Sequence, residues 1–287
     1  EFDEAEALFK RGLALREKVL GPDHPDVAGS LYRLGLLYRK NDRLAEAESM
    51  FRAALAIRQK ALGPDHLHVA HCLYNLALIA QRQSKYKDAE SQTKQALRIC
   101  EKELGPNHMD VAFCRNTLTQ IYQAQARYVD AESLGIRTLA ILEKKLGPDH
   151  LEVANMLYNL GWIYQSLGDF EEAEKRYKRS LIIRQQKLGH DHVDVAATLN
   201  ALGALYHKQD RPVEAEEMYR WALEIKKKVM GLHPSVAQTL TNLAKLYHLQ
   251  GRYADAETAY REAVVVWEKT QGPYSPEIPA IFENLSR

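Results

Sequence analysis

The sequence predicts an all-α solenoid of antiparallel helix pairs in tandem. Three observations predict it: glycines at a fixed 42-residue spacing, a Val-Ala pair after each of them, and small residues alternating with large ones at helical spacing in between. Gly21, Gly63, Gly105, Gly147, Gly189 and Gly231 recur without a slip, and each opens a turn such as Gly-Pro-Asp-His at 21–24 or Gly-Pro-Asn-His at 105–108. Equal intervals of this kind mark one supersecondary unit copied along the chain. A unit so small buries its apolar face only against its neighbours.

The first helix of each pair begins at the Val-Ala step (Val27-Ala28, Val69-Ala70, Val111-Ala112, Val153-Ala154, Val195-Ala196, Val236-Ala237) and carries an apolar series such as Leu31, Leu34 and Tyr38. A short polar break follows, Asn41-Asp42-Arg43 or Gln250-Gly251-Arg252, and then a second periodic stretch with Ala47, Phe51, Ala54 and Leu55 or their counterparts. The glycine past the second helix supplies a left-handed stop. Asp23, Asn107, Asp149 and Asp191 are expected to cap the next helix, with Asp26, Asp110, Glu152 and Asp194 near its positive end. Close approach of paired helices is expected at Gly35, Ala77, Thr119, Gly161, Gly203 and Ala244, and again at Ala47, Ala89, Ala131, Ala173, Ala215 and Ala256. Six full pairs are expected to start near 24, 66, 108, 150, 192 and 233, with a lone second helix over 1–20 and a partial terminal helix over 274–287, all in a single array over 1–287. The third repeat departs from the pattern at Arg115, Asn116 and Gly135, and the turn at 231–234 is one residue short.

Lys and Arg number 39 against 38 Asp and Glu, so the basic imbalance of a nucleic-acid binder is missing and no nucleic-acid partner is expected. Cys72, Cys100 and Cys114 lack CxxC spacing and read as reduced thiols inside helices, which points to a cytoplasmic location. No apolar run is long enough to predict a membrane partner. The chain begins in mid-pattern without Met and is expected to be a fragment of something longer.

Leu-Gly or Leu-Ala, Tyr three residues later, Ala nine residues after that, then an aromatic residue and another Ala: this pattern resembles the tetratricopeptide repeat. The 42-residue period and the Gly-Pro-Asp-His-Pro-Asp-Val-Ala turn resemble more narrowly the repeats of kinesin light chain, of nephrocystin-like proteins and of many bacterial scaffold proteins. The resemblance covers essentially the whole chain. It implies a right-handed superhelix whose first helices line a concave face, and a role as a protein-binding scaffold or adaptor rather than an enzyme.

On that face the residues free of packing duty are expected to include Arg33, Asn75, Arg82, Asn116, Gln120, Gln123, Asn155, Asn159, Trp162, Asn200, Lys208, Asn242 and Lys245. Amides suit the main chain of an extended peptide because each offers a donor and an acceptor. Asn75, Asn159, Asn200 and Asn242 read as a row, within Tyr-Asn-Leu-Ala, Tyr-Asn-Leu-Gly, Leu-Asn-Ala-Leu-Gly and Thr-Asn-Leu-Ala. The matching stretch of kinesin light chain is Leu-Asn-Asn-Leu-Ala, whose asparagines, with Arg and Lys, take up cargo peptides containing tryptophan and acidic residues; each repeat here keeps one of the two amides. The same asparagines are also able to bridge to the neighbouring helix, and that alternative stays open. Trp162 reads as a peptide anchor, Trp221 and Trp267 as packing residues, and Tyr32, Tyr74 and Tyr158 as walls of apolar pockets.

His24, His66, His108, His150 and His192 recur once per repeat at the turn. That marks a structural role at the helix start, so the cluster of His66, His68 and His71 is not expected to hold a metal. The nucleophile, phosphate-loop and zinc-protease motifs are missing, and neither catalysis nor a cofactor is expected. The alternative to peptide binding is a spacer that self-associates through its ends or lateral surfaces.

Overall fold

The computed structural model describes residues 2–285, and among them the regular structure is entirely helical. Fourteen helices follow one another: α1 (Phe2–Leu20), α2 (Pro25–Lys40), α3 (Leu44–Leu62), α4 (Leu67–Arg82), α5 (Tyr86–Leu104), α6 (Met109–Ala124), α7 (Tyr128–Leu146), α8 (Leu151–Leu167), α9 (Phe170–Leu188), α10 (Val193–Lys208), α11 (Pro212–Met230), α12 (Pro234–Leu249), α13 (Tyr253–Gln271) and α14 (Glu277–Leu285). The ends of the first and terminal helices expected from the sequence, residues 1, 286 and 287, lie outside the described residues.

The chain divides into two compact units, Glu1–Lys145 and Leu146–Arg287. In the first, α1 packs on α2, and α2 to α5 each pack on the next helix; α4 and α6, both first helices, also touch. In the second unit α8 to α14 pack in the same serial way, and the first helices α8, α10 and α12 lie side by side. Each unit is thus a stack of helix pairs held by contacts between near neighbours in sequence.

Packing within a pair is set by a glycine and an aromatic ring. A Cβ on Gly161 or Gly203 would stand 2.7 Å from the ring of Tyr177 or Tyr219, and one on Gly35 would stand 2.9 Å from Phe51. Those three rings are almost completely buried. Glycine is needed there because the ring occupies the volume that any side chain would take.

Helix starts correct the sequence reading. The N-cap of each first helix from α2 to α12 is histidine: Nδ1 of His24, His66, His108, His150, His192 and His233 accepts the backbone N–H two residues on, at 3.1–3.2 Å. The imidazole reaches an orphan N–H of the first turn as Asp would. The aspartates expected to cap are freed for another task. Asp23 pairs with Lys60 and Asp191 with Lys228, and Asp65, at the same place before α4, pairs with Arg98 and Lys102, tying the entry of these three pairs to the end of the second helix.

Successive repeats are joined by a three-residue node that the sequence reading missed. Arg43, Arg127, Arg211 and Arg252 lie over the rings of Tyr38, Tyr122, Tyr206 and Tyr247, 3.9–4.4 Å from the centroids. The same guanidiniums pair with Glu6, Glu90, Glu174 and Glu216 on the preceding second helix at 2.6–3.1 Å. Lys10, with Tyr38 and Arg43, holds the Glu6 carboxyl down at about 2. The signal was available, since these glutamates are themselves separated by multiples of 42 residues.

Candidate functional site

The candidate surface is the face presented by the first helices, described unit by unit. In the first unit most of the expected ligand residues are already engaged. Asn75 is 4% exposed and donates both amide hydrogens, to Tyr32 Oη at 3.0 Å and to the His71 carbonyl at 2.8 Å. It is a bridge between repeats and is withdrawn from the ligand set. Tyr74 Oη accepts in the same way from Thr117 at 3.4 Å, and Tyr74 also lines a small cavity with His71, Cys100, Phe113 and Cys114. Gln120 accepts from Gln81 at 3.2 Å, and Arg82 pairs with Asp42 at 2.8 Å. Arg33 is exposed, while Asn116 and Gln123 are half-buried.

In the second unit the exposed column is different. Trp162 on α8, Ala204 on α10 and Lys245 on α12 occupy equivalent positions, each one residue after the small residues Gly161, Gly203 and Ala244. Trp162 is 39% exposed and Lys245 is exposed. Lys208 at the end of α10 is exposed too, and neither lysine has an acid partner among the described residues. His207 is half-buried between them; burial and then the charge of Lys245 push its pKa below the usual imidazole value, which favours a neutral ring.

The asparagine row is not a row. Asn159 and Asn242 lie two residues before Gly161 and Ala244, whereas Asn200 lies three before Gly203. One residue is 100° of helix, so Asn200 occupies the tyrosine position of Tyr158 and Tyr74. There its Oδ1 accepts from Thr239 of the next repeat at 3.1 Å. Asn242 accepts from Gln238 at 3.3 Å on its own helix. Asn155 accepts from Arg184 at 2.8 Å and so belongs to the packing between repeats. Asn159, Asn200 and Asn242 are all half-buried.

A second feature that the sequence reading missed is a buried cation on the second helices. Arg184 donates to the Asp194 carbonyl and to Thr198 Oγ1 at 2.9 and 2.7 Å, and Lys226 donates to the Ser235 carbonyl and to Thr239 Oγ1 at 3.2 and 2.7 Å. Arg58 makes the corresponding bonds to the His68 carbonyl and Cys72 Sγ. Burial drives the Lys226 pKa down to about 8. In the second repeat the slot is held by Cys100, which packs with Cys114. Burial of Cys114 beside Cys100 pushes its thiol pKa up, leaving it inert as a nucleophile. Trp267 is buried, and Trp221 stacks on His190.

Among the described residues no group of three or more His, Cys, Asp and Glu side chains is placed to hold a metal ion, and no helix is long and apolar enough to cross a membrane. His71 instead faces Asp110 at 3.4 Å.

The tetratricopeptide repeat family model matches at residues 1–60, 26–102, 79–144, 120–184, 163–228 and 235–287. No curated protein matches the sequence. Among solved structures, BtubC (BKLC) from P. vanneervenii is similar at 24% identity and a TM-score of 0.67, over 82% of this chain and 93% of its own. A kinesin light chain candidate of Podosopora anserina with nearly identical TPR-like repeats is similar at 24% identity and a TM-score of 0.61, over 72% and 98%. The signal transduction ATPase PH0952 from Pyrococcus horikoshii, which has a tetratricopeptide repeat sensor, is similar at 15% identity and a TM-score of 0.73, over 98% and 40%. Matches of the family model along nearly the full sequence, on a 42-residue period with histidine-capped turns, lead to one conclusion: the chain belongs to the tetratricopeptide repeat family.

Proposed function

We propose that this protein is an interaction scaffold or adaptor, and that the first-helix face of its second unit binds an extended, acidic peptide of a partner protein. The observation that carries the reading is the column of exposed Trp162, half-buried Ala204 and exposed Lys245, flanked by exposed Lys208. An exposed indole offers a large anchor at low entropic cost. Two lysines without acid partners favour a peptide with carboxylates, and the small Ala204 lets its main chain approach. Asn159, Asn200 and Asn242 then supply polar contacts at the edge of the column. In the first unit, Arg33, Arg82, Asn116, Gln120 and Gln123 serve as secondary contacts. None of this needs catalysis or a cofactor.

An array of acidic and neutral peptides, each with and without an apolar residue, tests the proposal. Acidic peptides with an apolar residue should bind, and Lys208→Glu with Lys245→Glu should weaken them about tenfold or more without changing helix content. Equal binding to the double variant would reject it. A self-associating spacer is the second reading, favoured by the exposed stripe of Leu8, Leu15 and Val19 on α1, each 63–69% exposed. Sedimentation equilibrium decides it: a mass that is constant with concentration removes self-association.

A further inference from the structure

The third repeat departs from the others at two places that the fold brings together. Arg115 on α6 stands where the other first helices carry Leu31, Leu73, Leu157, Leu199 and Leu240, all 7% exposed or less. A guanidinium cannot fill that apolar slot, so its head reaches Glu101 on α5, with Nη2 2.7 Å from the carboxylate, while the side chain stays 13% exposed. Asn107 stands where the turns before α2, α4 and α10 carry Asp23, Asp65 and Asp191, each paired with a lysine 37 residues on. Asparagine has no charge to offer. Lys144, the matching lysine, is therefore without an acid partner among the described residues.

These two departures meet in a cavity of about 310 Å³. Arg115, Arg137, Lys144 and Lys145 line it, together with Asn107 and the buried Ile141, and no carboxylate does. Arg137, Lys144 and Lys145 fall at spacings of seven and eight on α7, which puts them on one side of that helix. Glu101, the acid that Arg115 reaches, is held by that bond and is not among the cavity's lining residues. Four cations around one space, three of them without an acid partner among the described residues, favour an anion strongly.

The geometry points to this cavity as a binding site for a phosphomonoester, either free phosphate or the phosphorylated side chain of a partner peptide. A phosphomonoester carries close to two negative charges and three acceptor oxygens, which matches a forked guanidinium with two lysines; one carboxylate would leave most of that charge unbalanced. The volume admits the phosphate with a short stem, and Ile141 offers that stem an apolar contact. The site lies wholly in the first unit and stands independently of the peptide-binding face proposed for the second.

Calorimetry of the full chain at low salt, with inorganic phosphate, a short Gly/Ala-flanked phosphoserine peptide and its serine twin, tests this. Phosphate or the phosphopeptide should bind, and the serine peptide should not. Arg115→Leu installs the residue of the five other repeats, and Asn107→Asp restores the partner of Lys144; each should weaken binding about tenfold or more while the thermal midpoint stays level or rises. Phosphopeptide binding tighter than phosphate identifies a modified partner as the source, and phosphate binding alone identifies the free ion. Failure of both anions to bind, or equal binding to wild type and both variants, overturns the site. Charge reversal at Lys208 and Lys245 should leave this titration unchanged.

Discussion

In the second unit Tyr177 and Tyr219 fill the space between paired helices against Gly161 and Gly203, as Phe51 does against Gly35 in the first repeat, whereas in the second and third repeats the same positions are held by Thr93 with Ala77 and by Gly135 with Thr119. All of these residues are buried, so both arrangements are packed. What differs is which helix carries the bulk. The repeat is therefore specified by the couple and not by either residue, and a change in one member should be tolerated only when the other follows. Where the large ring is missing, the third repeat also loses its packing leucine to Arg115 and opens a charged cavity. The second unit spends its sequence on tight pairs; the third repeat of the first unit leaves room.

Removing a ring is the strongest way to break this comparison. Tyr177→Ala should cost about 3–5 kcal/mol in urea unfolding, because a fully buried aromatic leaves a cavity, while Thr93→Ala should cost about 1–2 kcal/mol. Gly203→Ala should cost about 1–3 kcal/mol by driving a methyl to 2.7 Å from Tyr219. Adding Tyr219→Thr to Gly203→Ala recreates the couple of the second repeat, and a double-mutant cycle should then show a favourable coupling between the two. Additive losses would show that the couple has no energetic meaning.

The buried cation sharpens the contrast through pH. Lys226 has a folded pKa of about 8 against an ordinary 10.5, so between those values the unfolded chain holds a proton that the folded chain has released. Stability then rises with pH across that window, and the gain is lost as pH falls through 8. The wild-type midpoint should therefore rise relative to Lys226→Met between pH 8 and about 9.5, and the two curves should run parallel below pH 7. The smallest effect is expected at a turn. Ala126 holds φ of 57° where Gly168 serves the second unit, and Ala126→Gly should stabilise by up to about 1 kcal/mol.

The architecture was legible because period, turn glycines and small-large alternation all say the same thing along the chain. The helix caps were half legible: the recurring histidines showed a role at the helix start, but aspartate is the commoner cap, and only geometry shows Nδ1 taking the N–H and Asp23 turning to Lys60. The ligand face was less legible. A half-exposed amide and a bridging one look alike in sequence, so Asn75 could not be told from Asn242. The one-residue shift of Asn200 was readable from Gly203 and changes the helix face it occupies. Arg115 was visible as a departure from pattern, but its meaning depends on Lys144 and Asn107 arriving beside it from other segments.

The most direct test of the function proposed here is ¹⁹F NMR of protein labelled with 5-fluorotryptophan, titrated with an acidic peptide selected on the array and assigned with Trp162→Phe. The Trp162 resonance should move with saturation while those of Trp221 and Trp267 stay in place. Saturable binding that leaves the Trp162 resonance unmoved would contradict the account and move the partner site away from the first-helix face of the second unit.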